Sequence, residues 1–366
     1  MADNATINTL EVRKDQWSET RLVSGPLPTA LEKNEVLIRV DKFALTANNI
    51  SYAGAGDLLG YWGFFPTEDG WGRIPAMGWG DVIASSHSNI AVGERVWGFF
   101  PFATHLTILA GNARTDQFED VSAHRSDYAP IYARFDRASK NPIYDAARED
   151  HDCLLRGLFL TSWLVEDFMH VNKGFGAKAC LITSASSKTS IALAHCVKKR
   201  GQMTSIGITS AGNVAFCESL GYYDQVLTYD AVADLDAAMP VVMVDMAGSA
   251  AVRSDVHHHF GDNMKHSCLI GATHYEEAGG SDNLPGAKPE FFFAPSHIQT
   301  RSAELGAAQL MEKLGAAYVQ FRSDSDAWLT LQHSFGPASV AKTYQAVLAG
   351  KTAADSGQIV SMWAQK

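Results

Sequence analysis

Residues 184–190 read Ser-Ala-Ser-Ser-Lys-Thr-Ser, a run of small hydroxyl side chains with one cation. An apolar run over 178–184 precedes it and reads as a strand; helical spacing follows over 187–200. The start of a helix presents unsatisfied backbone N–H groups and the positive end of its dipole, so a strand, tight loop and helix in this order can hold a phosphate or pyrophosphate. Dinucleotide sites of this kind use Gly-x-Gly-x-x-Gly, where glycine lets the backbone approach the ligand. Here Ser184, Ser186 or Ser187, and Ser190 stand in for the glycines. Serine is the smallest residue that partly substitutes, and its hydroxyl adds a donor. Ser184, Ser186, Ser187 and Thr189 are therefore candidate cofactor contacts, with Lys188 adding charge. The same Ser-Ser-Lys-Thr run also fits a plain helix N-cap. A P-loop does not fit, because Ile182 sits where its first glycine is required.

The second strand, over 203–209, bears on which dinucleotide. Sites for NAD usually end this strand in Asp or Glu, which bonds the ribose 2′-hydroxyl and repels a 2′-phosphate. This strand ends Gly207-Ile-Thr209-Ser210-Ala-Gly-Asn213, with no acid. Thr209, Ser210 and Asn213 offer neutral donors instead, and the reading is NADP(H). Thr209 or Ser210 also serves as a helix cap.

The elements that must position these residues fall into two textures. Residues 1–150 are β-rich and irregular, with strands over 35–45, 83–85 and 93–99 and a turn at 91–93. Residues 53–80 concentrate Tyr61, Trp62, Phe64, Phe65, Trp71 and Trp79. They form either a loop over a binding cleft or a small aromatic satellite core. Residues 110–150, with Tyr128, Tyr132 and Tyr144, read as an excursion from this domain. From 154 to 169 apolar residues recur at helical spacing, stopped by 172–176. Strands over 178–184, 203–209, 225–228, 240–246, 266–271 and 289–294 then alternate with helices over 187–200, 211–220, 231–238, 249–260 and 301–315. Strands apolar on both faces, such as 241–246, belong in a parallel sheet covered by helices. The fold class is α/β, with a doubly wound parallel-sheet domain beside the β-rich one. A helix over 338–349 and a strand over 357–362 close the chain.

The 366 residues suit two domains. The net charge is −10 and no Lys/Arg cluster forms a basic patch, which argues against nucleic acid or an anionic membrane as the main partner. No apolar run reaches the ~18 residues a span requires, and residues 1–17 lack a signal-peptide core. Cys153, Cys180, Cys196, Cys217 and Cys268 are scattered, as expected for reduced thiols in a cytoplasmic protein.

Three segments carry a family resemblance. Glu35-Val-Leu-Ile-Arg-Val resembles the first GroES-like strand of the medium-chain dehydrogenase/reductase superfamily. Gly93-Glu-Arg-Val-Trp-Gly-Phe99 resembles its Gly-Asp-Arg-Val-x-Gly signature, and Ala349-Gly-Lys-Thr-Ala-Ala-Asp-Ser-Gly-Gln-Ile-Val360 its closing strand. The resemblance covers nearly the whole chain and is nearest to the zinc-free quinone-oxidoreductase and enoyl-reductase branch, as a divergent subgroup. It implies a GroES-like catalytic domain over 1–155 and 300–366 and a Rossmann dinucleotide-binding domain over 156–299. Zinc members carry Gly-His-Glu where this chain has Gly78-Trp79-Gly80, and no cysteine precedes Cys153. Both of that superfamily's zinc sites are therefore expected to be absent, and no metal is assigned. Thr46-Ala-Asn48-Asn49-Ile-Ser-Tyr52 is similar to the Asn-rich segment facing the nicotinamide cleft in zinc-free members. This implies Tyr52 as a proton or hydrogen-bond donor and Asn48 or Asn49 as an orienter of the substrate carbonyl. Thr161 resembles a position that touches nicotinamide. Members commonly pair through an edge strand, here near 290–294 with Pro295 beyond, so a homodimer is expected.

The expected activity is zinc-independent, NADPH-dependent reduction of a carbonyl-conjugated C=C bond or a quinone, with a small apolar or aromatic substrate. Carbonyl or alcohol interconversion with Tyr52 as acid, and non-catalytic NADPH binding, are the alternatives. Asp245 ends a strand at the sheet's carboxyl edge, where ligands bind, and is placed near the nicotinamide ribose or as a cap for residues 248–251. His274-Tyr275 and His297 occupy comparable positions. His257-His258-His259 reads as a surface feature, since adjacent helical side chains point apart.

Overall fold

The structure, a computed structural model, describes residues 6–246, 248–270 and 284–365. It has two compact units, residues 1–154 with 329–366 and residues 155–328. The first unit contains β1 (Thr6–Arg13), β2 (Thr20–Pro26), β3 (Glu35–Leu45), β4 (Trp71–Gly72), β5 (Ala76–Ser85), β6 (Arg95–Phe100), β7 (His105–Gly111), β8 (Gln117–Asp120) and β9 (Arg134–Arg137). The second holds β10 (Ala179–Thr183), β11 (Thr204–Thr209), β12 (Gln225–Thr228), β13 (Val241–Asp245), β14 (Met264–Leu269) and β15 (Pro289–Phe291). The chain then returns to the first unit as β16 (Thr330–Phe335), the helix Pro337–Leu348 and β17 (Ser356–Ser361).

In the first unit the main sheet runs β16-β17-β3-β5-β6-β9-β8-β7, and β3 also pairs with β7. Six of its strands thus close on themselves into a barrel, which removes exposed edges. Residues 110–150 are more than an excursion, because β8 and β9 complete this ring. The separate sheet β2-β1-β4 is tied by a buried carboxylate. Glu11 Oε1 accepts from Thr67 Oγ1 at 2.5 Å and Arg73 Nε at 2.9 Å, and Glu11 Oε2 accepts from Arg21 Nη2 at 2.7 Å. Burial raises the Glu11 pKa, but the bonds from Thr67 and Arg21 and the charge of Arg73 outweigh it and hold the carboxyl below 4.5. Its stabilising contribution is therefore complete above the unfolded value and fades as pH falls through the lower folded value. Glu11→Gln is expected to cost about 2 kcal/mol at pH 7. In thermal melts the gap to wild type should narrow below pH 4.5. A gap that persists unchanged in acid would refute the charge as its cause.

The second unit is a parallel sheet in the order β12-β11-β10-β13-β14-β15. Counted within the unit this is 3-2-1-4-5-6, the Rossmann order, with its switch point beside β10. Every residue of β10 and β13 is buried, as helices on both faces require. Leu181, Ile206, Ile208, Met243, Val256, Phe260 and Met264 meet in one core cluster. The helix Gly157–Val171 leads into this unit and ends where Lys173, Gly174, Phe175 and Gly176 all take positive φ.

Several expectations need correction. The return to the first unit comes at 329, not 300. Residues 300–328 stay with the parallel sheet because Tyr318 and Phe321 pack on Phe159, with ring centroids at 5.6 and 5.1 Å. The helix expected over 301–315 is two helices, Ala294–Leu305 and Ala307–Asp324, broken at Gly306 with φ 86°. The strand expected over 289–294 is only Pro289–Phe291, and Pro295 lies in the first turn of the following helix, where proline's missing N–H costs nothing. The helix expected over 231–238 is a 3-10 stretch, Tyr229–Asp234.

Candidate nucleotide loop and tyrosine cluster

The nucleotide-loop residues converge at the carboxyl ends of β10 and β11. Ser184 has φ 49°, the left-handed region that a first-position glycine supplies without cost. Serine keeps that turn at the expense of local strain. Ser187 N donates to Ser184 O at 2.7 Å, closing the turn. Ser187 then caps the helix Lys188–Arg200, its Oγ accepting from Ser190 N at 3.2 Å. Both readings of the Ser-Ser-Lys-Thr run thus hold at once, since a capped helix start is also where a phosphate sits. Fully buried Ser190 donates its hydroxyl to Thr183 O at 2.8 Å, so the helix packs close to the strand as a third glycine would allow. No side chain among the described residues accepts from the Thr189 amide, leaving a donor open at this helix start. The helix Gly157–Val171, which carries half-buried Thr161, is stitched to the same turn by Ser162 Oγ, which donates to Thr189 O at 2.7 Å.

Ser186 points toward the second strand. Asn213 Nδ2 donates to Ser186 Oγ at 3.0 Å and to Ser210 Oγ at 3.1 Å, and Thr209 Oγ1 lies 3.4 Å from Ser186 Oγ. The three residues expected at the 2′-position therefore form one neutral hydroxyl–amide cluster with Ser186 of the loop. Buried Thr209 positions it, while Ser210 is exposed. Gly207 of β11 belongs to this support. A Cβ there would meet Tyr223 at 2.8 Å and Ala185 at 2.9 Å, and Tyr223 OH holds Ala185 O at 2.7 Å. Gly207 and Tyr223 were not singled out from the sequence.

Asp245 caps the turn after its strand. It is fully buried, and its Oδ1 accepts from Thr183 Oγ1 at 2.9 Å and Gly248 N at 3.1 Å. Its Oδ2 pairs with buried Arg253 Nη1 at 3.2 Å. The carboxylate thus joins the ends of β10 and β13 to the next helix. The histidine run is not a surface feature throughout. His257 is fully buried, bonding Ser267 Oγ and Pro285 O at 2.9 Å each, while His258 is exposed. His297 is held by Asp167 at 2.9 Å between the rings of Phe168 and Phe292. His274 and Tyr275 lie outside the described residues.

In the first unit, Thr46 begins the helix Ala47–Gly54 with a reciprocal capping box. Asn49 Oδ1 accepts from Thr46 N at 2.7 Å and Asn49 Nδ2 donates to Pro75 O at 2.9 Å. Buried Asn49 therefore anchors the segment. Asn48 is half-buried and lies near Tyr52, where its amide slightly offsets the rise in the Tyr52 pKa. Tyr52 is 9% exposed; burial, aided by nearby Tyr132, raises its pKa far above 10, so it stays a phenol. The aromatic segment packs rather than lying open: Trp62, Phe64 and Phe65 are buried. Tyr52 meets Tyr61 at a ring distance of 4.6 Å, and Tyr132 lies 5.9 Å from Tyr61 and 5.3 Å from Phe99. Arg125 locks this cluster, donating to Phe64 O at 3.1 Å and Tyr132 O at 2.5 Å while lying over the Phe64 ring at 4.6 Å.

Trp79, at the place of the zinc members' histidine, is fully buried, and its Nε1 donates to Glu149 O at 3.1 Å. Among the described residues no group of three or more His, Cys, Asp or Glu is placed to hold a metal ion. No helix among them is long and apolar enough to cross a membrane.

No curated protein matches the sequence. Solved structures do match by fold. The quinone oxidoreductase from Coxiella burnetii is 16% identical with a TM-score of 0.56. A mutant form of the enoyl thioester reductase from Candida tropicalis is 14% identical at 0.56, and the complex of Etr1p with NADP and crotonyl-CoA 12% at 0.58. Each match covers 97% of this chain and 99% of the other. The chain thus shares its fold with these quinone and enoyl reductases. By sequence, a family model matches residues 43–353, and the chain belongs to that family, described as protein of unknown function DUF2855.

Proposed function

We propose that this chain is an NADPH-dependent oxidoreductase of the medium-chain type that works without zinc. The observation that carries the reading is the Ser184 turn feeding a helix start beside a second strand that ends in neutral donors. Those residues suit a pyrophosphate and a 2′-phosphate. The bound cofactor would supply the hydride. Ser186, Ser187 and Thr189 hold phosphate through hydroxyls and backbone amides, with Lys188 adding charge. Ser210 and Asn213 donate to the 2′-phosphate. In the first unit the Tyr52 hydroxyl, with Asn48 nearby, gives the proton that accompanies hydride addition. The preferred reaction is reduction of a C=C bond conjugated to a carbonyl, or of a quinone, in a small apolar or aromatic molecule. Etr1p, bound to NADP and crotonyl-CoA, supports that choice through its fold.

The test is a fluorescence titration of the purified protein with NADPH and NADH. NADPH should bind at least about tenfold more tightly, roughly 1.4 kcal/mol. Ser210→Asp, which returns an acid to the end of the second strand, should weaken NADPH about tenfold or more and leave NADH nearly unchanged. Equal loss for both cofactors would remove the 2′-phosphate assignment. No binding of either would reduce the likeness to fold alone.

A further inference from the structure

Every reduction of this kind needs a proton as well as a hydride, and Tyr52 can give only one before it must be recharged. Its surroundings restrict the source. Tyr52 is buried against Tyr61 and Phe99, and nearby Asn48 carries an amide that is no acid. The neighbouring groups with an exchangeable proton are the hydroxyls of Tyr61 and Tyr132, 3.5 Å apart. Tyr61 comes from the turn Tyr61–Gly63, and Tyr132 from the connection between β8 and β9, fixed through its carbonyl by Arg125. Both are half-buried, and the Tyr61 ring lies 4.6 Å from that of Tyr52.

We propose that Tyr61 and Tyr132 form the proton-supply path that restores Tyr52 between turnovers. This rests on the reductase reading above. The cofactor, when bound, would supply the hydride for one C–H bond of the product. The Tyr52 O–H bond breaks and a second C–H bond forms at the adjacent carbon. The Tyr52 phenolate then takes a proton from the Tyr61–Tyr132 pair, and water returns one to that pair. The acceptor gains two electrons and two hydrogens, and the net proton comes from solvent.

Tyr132→Phe and Tyr61→Phe keep the rings that pack the cluster and remove only the hydroxyls. The experiment compares single-turnover NADPH oxidation with steady-state turnover of a conjugated enone, in H2O and D2O, after melting curves establish that the variants are folded. The expected result is single-turnover oxidation at the wild-type rate, kcat lowered about tenfold, and a larger solvent isotope effect on kcat. Unchanged kcat and isotope effect in both variants would overturn the path. So would equal slowing of single-turnover and steady-state rates, which is what lost packing produces. A wild-type protein that binds NADPH but reduces no conjugated acceptor would overturn the reductase reading itself, a result distinct from either.

Discussion

Tyr52→Phe is expected to lower kcat for a conjugated enone by about 10²–10⁴-fold, the range for losing a positioned general acid. NADPH affinity should stay unchanged, because the cofactor contacts are assigned to the second unit. The substitution keeps the ring and its contacts with Tyr61 and Phe99. It removes only the hydroxyl that carries the proton. The effect should fall on kcat with little change in KM, since the proton moves only in the transition state. Between pH 6 and 9 the wild-type profile should show no ionisation from this group, because burial keeps the phenol protonated. A variant with wild-type kcat would remove Tyr52 from the chemistry and favour the non-catalytic NADPH-binding alternative.

The largest expected loss of stability is at Asp245. Removing it by Asp245→Ala leaves Arg253 buried with an uncompensated charge, which costs about 3–5 kcal/mol. It also strips acceptors from Thr183 Oγ1 and Gly248 N. Urea unfolding followed by circular dichroism reads this directly. The double variant Asp245→Leu, Arg253→Met should recover much of the loss, because it removes both charges together. If Asp245→Ala melts like wild type while NADPH binding fails, the carboxylate belongs to the cofactor after all.

Much of the second unit was legible because its signals are local. Parallel strands are apolar throughout, each lies within a few residues of its reading, and the serine loop falls between a strand and a helix as expected. That Ser184 holds a glycine's backbone conformation follows from that order alone. What escaped depends on distance in the chain or on competing uses of one side chain. Asp245 at a sheet edge reads as a ligand contact or a cap, and nothing in its own segment shows that Arg253, eight residues on, turns back across it. Asn49 was assigned by resemblance, although a Thr three residues before an amide side chain is itself a capping-box spacing. Tyr132 joins Tyr61 from 71 residues away, and no periodicity marks that meeting. The late return to the first unit was misplaced because helix spacing over 301–324 is the same whichever unit it covers.

The way the first unit is completed has a consequence for biosynthesis. β17 pairs with β3 in the register Val360 to Phe43 and Gln358 to Leu45, and Trp363 Nε1 donates to Val40 O at 2.7 Å. Strands separated by more than 300 residues must therefore find each other before that sheet has its full order. The second unit is one continuous stretch and can assemble while the ribosome is still at work, at about 5–20 residues per second. The first waits with its β3 margin unpaired until residues 356–361 emerge. During those tens of seconds that margin is open to other chains, which makes slow loop closure over the finished second unit the step at which this protein is most exposed to aggregation and to chaperones.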